Sequence, residues 1–97
     1  MHLHPYLAAT DCAFTRLVRA NYWLVADLDH RHARYWRDQV EACEAAFVAQ
    51  SVGSASMPAD VRERRLRLVR DQVGVAMRTG FEAASKRWHK GGTDVAH

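Results

Sequence analysis

Residues 10–50 contain neither proline nor glycine. A stretch that long without a breaker most economically folds as helix, since those two residues are the strongest interruptions of helical backbone. The only internal cluster of breakers is "SVGSASMP", residues 51–58. It divides the chain into a first helix expected near residues 10–51 and a second near 58–90, joined by a loop over 52–57. An N-terminal arm covers residues 1–9 and a tail covers 91–97. Thr10 or Asp11 is placed to cap the first helix and Ser56 the second, with Pro58 in its first turn. Gly91-Gly92 reads as a helix stop, because glycine takes the left-handed cap conformation cheaply. No alternating run rich in Val, Ile and Thr suggests strands, so the fold class is all-α and the 97 residues form one helical domain.

Both segments carry helical periodicity. On the first, Phe14, Leu17, Val18, Leu24, Val25, Leu28, Tyr35, Trp36, Val40, Cys43, Ala46 and Phe47 share one face. At ~100° per residue that face is about 160° wide, more than an ordinary surface helix presents. On the second, Leu66, Val69, Val73, Ala76, Met77, Gly80, Ala84 and Trp88 align. Gly80 lies inside that stripe, where it suits a close helix crossing; Gly74 lies off it, and the pattern offers no reason for it. A short loop folds two helices back as an antiparallel hairpin. One partner helix does not cover so wide a face, so two hairpins are expected to pair into a homodimeric four-helix bundle. The residues expected at that interface are Phe14, Leu24, Leu28, Trp36, Phe47, Val69, Val73, Met77 and Trp88. Asn21, His32 and Gln39 interrupt the apolar stripe and read as register-setting polar groups.

The stretch "RERRLRLVR", residues 62–70, holds five arginines in nine positions. Charge is uneven along the chain, net −1 over residues 10–52 and net +5 over 58–92. A helix that tracks phosphates gathers its cations on one side. Here the arginines scatter around the wheel, and several have acidic neighbours four residues away, as in Asp60–Arg64, Glu63–Arg67 and Arg78–Glu82. The first reading is a solvated, salt-laced face. Nucleic acid is the lesser alternative, with Arg64, Arg67 and Arg78 as its contact candidates.

"DLDHRH", residues 27–32, has Asp27 and His30 at i,i+3, but both fall on the outer face and His32 stands alone in the apolar stripe. No Cys-x-x-Cys or His-x-x-x-His spacing accompanies them, so no metal and no other cofactor is expected. No catalytic triad, Cys-His pair or glycine-rich phosphate loop is legible, and an enzyme is not expected. On a single helix Cys12 and Cys43 would lie about 46 Å apart, too far for a disulfide. Two lone thiols, no export signal and no apolar run near ~20 residues point to a cytoplasmic protein without a membrane span. Trp23 falls on the polar face beside Arg16, Arg19, Asp27 and His30. It is either an anchor for a protein partner or the cover for Tyr6 and Leu7 of the arm.

The stretches "ARYWRDQVEACEAAFVAQ" (33–50) and "LVRDQVGVAMRTGFEAASKRW" (68–88) flank the loop and "MPAD". Their composition resembles the phasin family, small helical proteins that coat polyhydroxyalkanoate storage granules in bacteria. The resemblance covers about residues 20–90 and rests on no motif. It implies a self-associating amphipathic coat on a hydrophobic granule surface. A homo-oligomer is expected on either account, with a small adaptor or inhibitor of a protein partner as a further alternative.

Overall fold

The computed structural model describes residues 3–53 and 57–96, with side chains described as far as Arg87. All of its regular structure is helical: α1 (Pro5–Ala8), α2 (Ala13–Ala26), α3 (Ala33–Val52) and α4 (Ala59–Ala96), with a short 3-10 turn over His30–His32. The all-α class therefore holds, but the helix expected over 10–51 is two helices. Phe14 near the start of α2 meets Phe47 near the end of α3, with ring centroids 5.9 Å apart. Trp23 near the end of α2 stacks on Trp36 near the start of α3 at 6.1 Å. The two helices thus run antiparallel, and the expected pair of long helices becomes three principal ones.

Asx chemistry makes the break, with no proline or glycine involved. Asp27 Oδ1 accepts the N–H of Asp29 at 3.0 Å, and Asp29 Oδ1 accepts the N–H of Arg31 at 3.0 Å. Each carboxylate takes a backbone donor two residues on, in competition with the helical ladder. Asp27 has left helical geometry at φ −82°, ψ 105°. Arg31 then clasps the Asp29 carboxylate with Nε and Nη2, the latter at 2.7 Å from Oδ2.

The other boundaries shift for local reasons. Cys12, not Thr10 or Asp11, is the N-cap of α2. Thr10 is buried and donates its hydroxyl to the Tyr6 carbonyl at 3.2 Å. α3 ends on Gly53 at φ +73°, the left-handed value that glycine accepts most readily. Ser56 and the other loop residues 54–56 lie outside the described residues. The stop expected at Gly91-Gly92 is absent, since α4 continues to Ala96. At about 1.5 Å per residue α4 is roughly 57 Å long, which accounts for the 58 Å long dimension of the molecule. The arm is folded: Pro5 opens α1, Leu7 is fully buried, and Arg16 caps the arm by donating to the Leu7 carbonyl at 3.1 Å and, through Nη2, to the Thr10 carbonyl at 2.6 Å.

α2 is the central helix. None of its residues is exposed, because the arm, α3 and α4 all pack around it. That explains the wide apolar face and the tryptophan on its far side. α4 packs chiefly on α2 and touches α3 more sparsely. Leu66, Val69, Val73, Ala76, Gly80 and Ala84, all buried or half-buried, form a single stripe along it, with half-buried Gly74 and Phe81 to one side. At Gly80 the crossing is close. A Cβ there would stand 2.6 Å from the Val18 carbonyl oxygen and 2.8 Å from the Tyr22 nitrogen. At Gly74 a Cβ would meet only the Arg78 guanidinium, at 3.7 Å. The two glycines are therefore expected to respond oppositely to alanine. Gly80→Ala must push the helices apart and lower stability by about 1–2 kcal/mol, even after a propensity gain of about 1 kcal/mol. Gly74→Ala keeps that gain and raises stability by about 0.5–1 kcal/mol. Urea unfolding of the two variants reads the difference, and equal shifts would overturn the close crossing.

Candidate functional site

Asp27 organises the most structured polar cluster. Its Oδ2 accepts the indole N–H of Trp36 at 2.9 Å and lies 2.8 Å from His32 Nδ1. The Trp36 indole first, then the Asp29 N–H and His32, hold the Asp27 carboxyl below its ordinary range. His32, expected in the apolar stripe, is exposed at the turn, and His30 is exposed beside it. Among the described residues no group of three or more His, Cys, Asp or Glu stands in a metal-holding arrangement.

Trp23 belongs to the same corner. Its ring meets Tyr6 of the arm edge-on at 6.4 Å, Tyr22 at 5.2 Å and Trp36 face to face. Arg87 of α4 lies 5.9 Å from its centroid, and Arg19 lies 5.1 Å over Tyr6. Of the two roles expected for Trp23, packing on the arm is the one its contacts display. His4 completes the corner. Its Nδ1 accepts the Tyr6 N–H, its own N–H donates to Gln39 Oε1 at 2.8 Å, and its ring lies 5.3 Å from Trp36. His4, Tyr6, Trp23, Trp36 and Asp27 line an open cavity of about 270 Å³. Arm, α2 and α3 converge on it, and periodicity along a single continuous helix does not bring them together.

The arginine candidates stand apart from this corner. Arg64 and Arg67 are exposed and form the expected pairs with Asp60 at 3.7 Å and Glu63 at 3.4 Å. Exposed pairs of this kind contribute little to stability. Arg78 is also exposed.

Most residues assigned to an interface between copies are spent inside the chain. Trp36, Phe47 and Val69 are buried, while Phe14, Leu24 and Val73 are half-buried against the core. Leu28 is 71% exposed and Met77 42%; the Trp88 side chain lies outside the described residues. What remains open is a groove of about 780 Å³ between α3 and α4. Val48, Val73 and Met77 line it, with Ala45, Ala49 and Gly74 between them. Glu41 and Glu44 stand on its α3 wall and Arg70 on its α4 wall. Among the described residues these three close no ion pair within the chain. Gly74, unexplained by internal packing, lines this groove.

No protein-family model, no curated protein and no solved structure matches this chain. Among the described residues no helix is long and apolar enough to cross a membrane.

Both cysteines are free, Cys12 exposed and Cys43 buried. The wide separation expected on one helix does not apply, because α2 and α3 fold back on each other. The Cys12 thiol is held below its ordinary value chiefly by the backbone N–H of Thr15, then by the Thr15 hydroxyl and the Phe14 N–H, although no cap hydrogen bond closes. Burial pushes the Cys43 thiol up. Iodoacetamide at neutral pH is expected to alkylate Cys12 in the folded protein and Cys43 only after denaturation, as peptide mass mapping would show. The Asp27 shift carries a pH signature. A depressed carboxyl adds stability above its ordinary value, about pH 3.9, and that share is lost as pH falls through the lowered folded value. Asp27→Asn should flatten the fall in stability over that acid window; an unchanged acid unfolding curve would contradict the assignment.

Proposed function

We propose that this chain is a self-associating helical interaction protein whose copies meet through the α3–α4 groove. The observation that carries this reading is the groove itself: an apolar floor at the surface, with an acidic wall on α3 and a cation on α4 that close no ion pair among the described residues. An isologous two-fold contact lays the acidic wall of each copy against the Arg70 wall of its partner. The α3–α4 pairs of two copies then make a four-helix contact. The small residues Ala45, Ala49 and Gly74 let an incoming helix approach closely, which gives Gly74 a purpose. A solvated groove of this size leaves apolar surface that association removes from water.

Charge exchange tests it. The wild-type protein is expected to show a concentration-dependent dimer by light scattering or sedimentation. Glu44→Arg or Arg70→Glu alone should weaken it about tenfold or more, since like charges then face each other. Mixing the two variants should restore pairing as a heterodimer. A protein that stays monomeric up to millimolar concentration overturns self-association.

A second reading has its own observation. Val61, Leu68 and Val75 recur every seven residues on the outer face of α4, and they are 43%, 64% and 43% exposed. This stripe, flanked by arginines, suits contact with an apolar surface, as in a granule coat. Flotation with hydrophobic particles, lost on Leu68→Asp, is its test.

A further inference from the structure

We propose that the aromatic corner between the arm and the α2–α3 turn is a binding site for a methylated ammonium group. The rings form a continuous wall. Tyr6 meets Trp23, Trp23 stacks on Trp36, and Trp36 meets His4. His4 and Tyr6 belong to one turn of the arm, where His4 Nδ1 accepts the Tyr6 N–H. Among the described residues, the open cavity beside them, about 270 Å³, is lined by these four rings and Asp27. That volume lies just below the usual range of ligand pockets, about 300–1,000 Å³, and suits only a small headgroup. Aromatic faces attract cations through their quadrupoles, and a carboxylate beside them adds charge of the right sign. The same rings already draw cations from within the chain: Arg19 lies over Tyr6 and Arg87 over Trp23. Neither guanidinium lines the cavity. Arg19 is tied to Thr10 Oγ1 at 2.8 Å and Arg87 to the Tyr22 hydroxyl at 2.9 Å.

The hydrogen bonds select the methylated form. Asp27 already accepts from the Trp36 indole and the Asp29 N–H and lies against His32. A primary ammonium carries three donors that must all find acceptors once water is removed, and this lining offers few. A trimethylammonium group has no donors to satisfy and presents only polarised methyls to the rings. The site is independent of the α3–α4 groove and survives or fails apart from it.

The test is a titration of the full chain with choline, read from the indole N–H signals of Trp23 and Trp36 by NMR. Saturable shifts are expected in the millimolar range, together with binding at least about tenfold weaker for ethanolamine and for the neutral isostere 3,3-dimethylbutan-1-ol. Tyr6→Leu, on the exposed face of the arm, and Asp27→Asn should each weaken choline about tenfold; the Tyr6 variant leaves the turn intact and keeps the test valid if Asp27→Asn disturbs it. Absent shifts at saturation, or equal binding of the neutral isostere, overturn the proposal. Sedimentation with phosphatidylcholine vesicles that choline inhibits would assign the group to a lipid headgroup. Choline binding without vesicle association would assign it to a free or side-chain trimethylammonium.

Discussion

The architecture depends on one carboxylate. Asp27 leaves the helical ladder, takes the Asp29 N–H, and binds the indole of Trp36 nine residues ahead. Through that last bond the turn is also a tertiary clamp. It fixes the start of α3 against the end of α2, and the antiparallel register that brings Phe14 to Phe47 follows from it. A continuous rod over the same residues would leave both rings, and most of the wide apolar face, in water. Burying them inside one chain offsets the loss of a few helical hydrogen bonds at the turn.

The second constraint is the approach of α4 to α2. Ala20, Ala76 and Ala84 are fully buried, and Gly80 sits against the α2 backbone. Contacts made of such small side chains gain dispersion only when the backbones come close. α4 is drawn tightly onto α2, and α3 is left at a looser distance from it. The open groove between α3 and α4 is a geometrical consequence of the tight crossing on the other side. The proposed meeting surface and the Gly80 contact are thus two results of one packing choice.

Much of this was legible. Helical content, the breaker cluster after residue 50, the buried stripe from Leu66 to Ala84, the role of Gly80 and the Asp60–Arg64 and Glu63–Arg67 pairs all follow from periodicity and spacing. The break at 27–32 contains neither proline nor glycine, the two strongest markers of interruption, so a count of breakers passes over it. Its signal lies in Asp-Leu-Asp, two Asx formers spaced so that Asp27 takes the backbone donor of Asp29 and Asp29 that of Arg31. Two other signs pointed the same way: an apolar face too wide for one helix, and a tryptophan on the supposedly polar side. For the same reason Trp36, Phe47 and Val69, expected between copies, are buried within the chain. A stripe summed over two helices as if over one leaves a surplus that the turn in fact consumes.

The sequence by itself determined the helical class and the buried stripe of α4 from Leu66 to Ala84, because those depend on residue spacing along one element. It also set the charge of α4 and the pairs on its surface, which are local to a few turns. Tertiary structure alone decided that no residue of α2 is left exposed, that the arm folds onto Trp23, and that four rings and a carboxylate from three elements line one cavity. It decided equally that α3 and α4 stand apart. These outcomes turn on one side-chain bond across nine residues and one backbone contact across sixty, and no pattern read within a single helix contains either.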